Sequence, residues 1–154
     1  MRFDFTNDRG EKLSGRLETP KNKPRAYALF AHCFTCSKDI VAASVIAKKL
    51  TDQDIAVLRF DFTGLGNSEG DFANTNFSSN VADLTSAYKA IEEQFEAPKI
   101  LIGHSLGGAA VLKTAPQLEN VKAVVTIGAP SSVEHVSHLF QKEIETIEKE
   151  GEAK

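Results

Sequence analysis

An α/β fold, a mostly parallel sheet with helices on both faces and an antiparallel hairpin at its N-terminal edge, follows from three features of the sequence. Short apolar runs alternate with longer segments whose apolar positions recur every three or four residues, the pattern that winds a parallel sheet by right-handed crossovers. Residues 2–19 instead alternate apolar with polar side chains around Asn7-Asp8-Arg9-Gly10, a hairpin signal. The three unusual loops, HCFTC, DFTGLGNSEGD and GHSLGG, each end an apolar run, at the sheet edge where parallel sheets gather their chemistry.

Taken in order, Pro20 and Pro24 punctuate the loop before AYALFAH (26–32), whose unbroken apolar run suits a strand covered on both faces. IVAASVIAKKLTDQ (40–53) reads as an amphipathic helix, with Asp39 the expected N-cap and Ser37 the other candidate. AVLRFDF (56–62) is the next strand, and SSNVADLTSAYKAIEEQF (78–95) a helix with apolar positions 81, 84, 88, 91 and 95. KILIG (99–103) and VKAVVTIGAP (121–130) are strands flanking LGGAAVLKTAPQL (106–118), a helix broken near Pro116. The tail, 136–154, is helical in propensity; Val136, Leu139, Phe140, Ile144 and Ile147 form an exposed stripe if nothing in the chain covers them.

With 154 residues, 42% hydrophobic and 25% charged, the chain is expected to form one globular domain over 1–154 with a real core. A net charge of −3 gives no electrostatic case for nucleic acid or an anionic membrane as partner. The apolar runs are too short to span a bilayer, and MRFDFTNDRG carries charges where a signal peptide would be apolar. The expected compartment is the cytoplasm, where disulfides are rare.

Gly103-His104-Ser105-Leu106-Gly107 fits G-x-S-x-G, the strained strand-to-helix turn that lifts a serine hydroxyl out of the backbone. It follows an apolar strand and opens a small-residue helix, the context the motif requires. Ser105 is thus the candidate nucleophile, with Gly103, His104 and Gly107 supporting the turn. Acyl transfer also needs donors for the oxyanion. The amide of Leu106, after the nucleophile, is one, and the amide of Phe34, in the loop after an earlier strand, is the natural second.

The order strand–HCF–helix, strand–DFTGLGNSEG–helix, strand–GHSLGG–helix resembles the N-terminal part of the α/β-hydrolase superfamily across roughly residues 10–130. The set HCFTCSKD, RFDFTGLGNSEGDF, NFSSNVADL, IGHSLGGAAVL and IGAPSSVEHVSHLF is similar to the hydrolase part of bacterial proteins that fuse a serine hydrolase to an OsmC-like domain. The resemblance implies esterase or peptidase chemistry of the serine aminopeptidase type, with Ser105 as nucleophile and no metal or organic cofactor. It also implies that the acid and histidine lie on strands later than any in this sequence, so that the chain is expected to be truncated before them. His32-Cys33 departs from the usual His-Gly of these enzymes.

A serine needs a base. His135 and His138, with Glu134 beside them, could form an improvised base–acid pair; the simpler reading makes VEHVSHLF the start of a cap or crossover. His32 is expected to tether the oxyanion loop rather than to deprotonate Ser105. Cys33 and Cys36 are assigned first to structural packing, then to a reactive dithiol, then, with His32, to a metal lacking a fourth ligand. In the loop Asp61-x-x-Gly64-x-Gly66-x-Ser68, Asp61 is expected to bind loop amides. The expected function is hydrolysis of a small ester or amide through an acyl-enzyme, weak or absent in so short a chain. The alternatives are a non-catalytic partner-binding domain, self-associating or docking another chain at an open sheet edge, and a thiol-redox protein using Cys33 and Cys36.

Overall fold

The computed structural model describes residues 1–131; the tail expected to be helical, with its apolar stripe, lies outside the described residues. Among the described residues seven strands form, β1 (Phe5–Thr6), β2 (Lys12–Leu13), β3 (Gly15–Glu18), β4 (Ala26–Ala31), β5 (Ile55–Phe60), β6 (Ile100–His104) and β7 (Ala123–Ile127). Three α-helices separate the later ones, α1 (Val41–Thr51), α2 (Phe77–Gln94) and α3 (Leu106–Thr114). Strands β3-β5-β4-β6-β7 make one sheet, parallel except for β3, which runs antiparallel to β5.

Alternation along the strands divides the core. Tyr27, Leu29, Ala31, Ala56, Leu58, Phe60 and Leu101 pack with Leu84, Ala87, Tyr88 and Ile91 of α2 and Ala110 and Val111 of α3. Ala28, Phe30, Ile55, Val57 and Ile102 face the other way, onto Ala43 and Ala47 of α1. Such a period-two split is what a sheet buried on both faces requires.

The N-terminal hairpin is present but divided. β1 and β2 pair as a two-stranded ribbon, and β3 joins the main sheet while still paired with the N-terminus through the antiparallel Arg2–Arg16 bridge. Ser14 is the dividing point: its N–H donates to Ser68 Oγ (2.9 Å) and its carbonyl accepts the Asp61 N–H (2.9 Å).

Helix α1 corrects the capping expectation. Its N-cap position is Ile40, with no side-chain cap. Asp39 is drawn instead to two buried cations, Lys38 Nζ at 3.1 Å and Arg59 Nη1 at 3.6 Å, and Ser37 Oγ accepts the Asp39 N–H. Helix α2 begins with a capping box between Asn76 and Ser79. Helix α3 gives way at Pro116 to a 3-10 turn, Ala115–Gln117.

Strand β7 is the outer strand beside β6, and no described residue pairs with its far side. Val125 (48% exposed) and Ile127 (38%) stand open on it, although every residue of β5 is buried.

Candidate active site

Strand β6 ends at His104, and the chain turns sharply at Ser105, φ 52° and ψ −117°. A non-glycine residue held at positive φ stores about 1–3 kcal/mol, tolerated only where its surroundings over-determine it. Here they do. The Ser105 N–H donates to the Ile127 carbonyl (2.9 Å), and its carbonyl accepts from the Ala109 N–H (3.2 Å). A Cβ on Gly107 would sit 2.3 Å from the Ala31 carbonyl oxygen and 2.5 Å from that of His32, and one on Gly103 would sit 2.3 Å from the Gly107 carbonyl. Only glycine lets the head of α3 lie this close to the end of β4, which brings the loop beginning at Cys33 beside Leu106. Ser105 is half-buried, and its hydroxyl makes no hydrogen bond among the described residues. Leu106 opens α3, so its amide is one of the helix's unused donors.

His32, fully buried, holds the loop after β4. Its Nδ1–H donates to the Cys33 carbonyl (2.8 Å), and its Nε2 accepts the Phe62 N–H at 3.3 Å. Both nitrogens are committed, as a tether requires. Burial lowers its pKa below the ordinary 6.5, against the Cys33 hydrogen bond and the charge of Asp61, with Lys38 adding a smaller push downward. The unfolded chain therefore binds the extra proton first. This stability is complete above the ordinary value and is lost as pH falls toward the lowered one. Urea unfolding between pH 7.5 and 5.5 should show stability falling by up to about 1.4 kcal/mol per pH unit, a slope that His32→Asn removes; a flat profile in the parent would contradict the tether.

The same loop carries a correction. Cys33 and Cys36 are half-buried and joined in a disulfide, so they are neither separately packed thiols nor metal-ligating thiolates. The Cys36 N–H also donates to the Cys33 carbonyl (3.2 Å), and Thr35 sits at φ 56°. The bridge closes a tight loop around Phe34, 46% exposed. Phe34 and Leu106 border the same cavity.

Asp61 anchors this loop to the one after β5. Its carboxylate, fully buried, accepts the Lys38 N–H (2.5 Å), the Lys38 ammonium (2.8 Å) and the Asn67 N–H (3.0 Å). Burial pulls the Lys38 pKa down, but its hydrogen bonds to Asp61 and Asp39 and their charges outweigh this and raise it. A Cβ on Gly66, at φ +55°, would lie 2.3 Å from the Asp61 carboxylate, which explains the glycine there. Ser68 Oγ donates to the Asp61 carbonyl (2.6 Å). Lys38, read from sequence only as part of a loop, is the member this reading missed. Asp83, also missed, is fully buried; it accepts the Thr63 N–H (2.9 Å) and faces Arg9 at 3.2 Å. His104 Nδ1 is buried without a partner among the described residues. Glu134, His135 and His138 lie outside the described residues.

Residues 22–149 match the family model described as "Serine aminopeptidase, S33". The chain belongs to this family. Among solved structures of similar proteins, the esterase domain of a Rhodothermus marinus protein is 51% identical, with a TM-score of 0.74, over 90% of this chain and 53% of that one. The mitochondrial palmitoyl-protein thioesterase ABHD10 of Rattus norvegicus is 34% identical over 97 residues, 58% of this chain and 31% of its own length. The monoglyceride lipase of the same species is 28% identical over 115 residues, 73% of this chain and 37% of its own. This serine aminopeptidase family chain spans about half of the solved esterase domain and about a third of the two curated relatives. The relatives are hydrolases by name, and the fold is that of α/β hydrolases.

Proposed function

We propose that the chain is a serine hydrolase acting on a small ester or amide. Ser105 Oγ attacks the carbonyl carbon and gives its proton to a base, while the carbonyl oxygen becomes an oxyanion held by the Leu106 and Phe34 amides. Collapse of that intermediate breaks the bond to the alcohol or amine, which leaves with a proton, and water then frees the acid from Ser105. The observation that carries this reading is the turn at Ser105, φ 52° and ψ −117°, packed through Gly107 against the end of β4. The esterase, lipase and thioesterase names of the relatives favour acyl esters over peptides as substrates.

The base and acid come from beyond the described residues, where His135, His138 and Glu134 are the chain's own candidates. Likeness to the hydrolase part of hydrolase–OsmC fusions belongs to the same reading. No helix among the described residues is long and apolar enough to cross a membrane. A cytoplasmic setting is part of the same proposal. In that compartment reduction would open the Cys33–Cys36 bridge, leaving the loop to the His32 and Asp61 tethers.

A fluorophosphonate reporter applied to the folded protein should label one serine, located by peptide mass to Ser105. No labelling, or labelling elsewhere, would contradict the reading. A second reading is favoured by the exposed apolar face of β7 and by its outer edge, which no described residue pairs: a further strand, from a second copy or a partner chain, adds there. A concentration-independent monomer in sedimentation would count against self-association.

A further inference from the structure

A cavity of about 360 Å³ lies between the loop after β4, the 3-10 turn at Phe72–Asn74 and the first turns of α2. Its size is at the small end of the range for ligand sites. Phe34, Phe72, Phe77 and Leu106 supply its apolar wall. The Phe34 and Phe72 rings are 5.3 Å apart and tilted by 60°, and Phe77 is 40% exposed beside them. Exposed aromatic rings grouped at one concavity are costly in water and suit a flat apolar guest.

One polar group breaks that wall. Among the polar residues lining the cavity, Thr75 Oγ1 donates to the Phe72 carbonyl (2.7 Å), and Asn76 Oδ1 accepts the Ser79 N–H (3.0 Å) in the capping box. Asn80 is different. It is 4% exposed, lines the cavity, and its carboxamide makes no hydrogen bond among the described residues. Its backbone is fixed one turn beyond the box, its N–H donating to the Asn76 carbonyl (3.1 Å). The carboxamide opens onto the cavity, where a ligand offering a donor or acceptor would pair with it.

We infer that this cavity holds the acyl part of the substrate, an aromatic acyl group carrying one hydrogen-bonding substituent that the Asn80 carboxamide meets. The inference rests on the hydrolase reading, because Leu106 and Phe34 then place the scissile carbonyl at the mouth of the cavity. The acyl ring stacks among Phe34, Phe72 and Phe77, and its substituent reaches the first turns of α2.

The test compares p-nitrophenyl 3-(4-hydroxyphenyl)propanoate, its deoxy analogue p-nitrophenyl 3-phenylpropanoate, and p-nitrophenyl acetate, with fluorophosphonate labelling of Ser105 measured in parallel. The hydroxylated ester should exceed its deoxy analogue about 10-fold in kcat/KM. Asn80→Leu, close in shape, should bring that ratio near 1, and Phe72→Ala should reduce the preference of both aryl esters over the acetate. Labelling of Ser105 with both ratios unmoved in the two variants overturns the cavity's role and leaves the hydrolase reading standing. Absence of labelling overturns both.

Discussion

Replacing Ser105 with glycine should raise the unfolding free energy by about 1 kcal/mol while abolishing labelling and lowering ester turnover on the order of 10³-fold or more. The two effects have one origin. At φ 52° and ψ −117° the serine occupies backbone space that only glycine enters without a steric penalty of about 1–3 kcal/mol, part of which returns as the larger entropy of an unfolded glycine. Strain of this kind persists when the hydroxyl must project beyond the end of the sheet. Denaturant midpoints for the parent, Ser105→Ala and Ser105→Gly separate the terms: Ala removes the hydroxyl but keeps the strain, and Gly removes both. A glycine variant less stable than the alanine one would mean that the turn is not strained.

Asp61→Leu should cost about 3–5 kcal/mol, because it leaves the Lys38 ammonium, 6% exposed, in the protein without its buried counter-charge. Two loop amides, of Lys38 and Asn67, lose their acceptor at the same time. Adding Lys38→Met should recover part of the loss, since a buried pair replaced on both sides is far less costly than a pair broken on one. Urea unfolding of the four proteins in this cycle measures the coupling; strict additivity would contradict it. Turnover should fall more than stability alone predicts, because Asp61 joins the loop bearing Phe34 to the loop after β5.

The layered α/β architecture was legible because β4 and β6 are buried on both faces and so read as unbroken apolar runs, as does β5 but for Arg59, while the helices between them carry three- and four-residue spacing. The Ser105 turn was legible because the glycines at 103 and 107 are demanded by contacts under 3 Å from backbone atoms, which no other residue type could meet. The cap of α1 was misread for a long-range reason: Asp39 lies next to the helix, but Lys38 and Arg59, buried by the folded sheet, compete for its carboxylate. The same holds for the Asp61–Lys38 pair, 23 residues apart, and for Asp83, which accepts from the distant side chains of Asn7 (3.1 Å) and Arg9 (3.2 Å). The C-x-x-C spacing of Cys33 and Cys36 left packing, a dithiol and a metal site all open; the tight loop after β4 brings their sulfurs into a bridge.

A crystal structure of the protein phosphonylated at Ser105 is the sharpest check on the oxyanion site. The phosphoryl oxygen should lie about 2.7–3.1 Å from both the Leu106 and the Phe34 amide nitrogens. An adduct whose oxygen points to solvent, with the Phe34 amide farther than about 3.5 Å away, would contradict it.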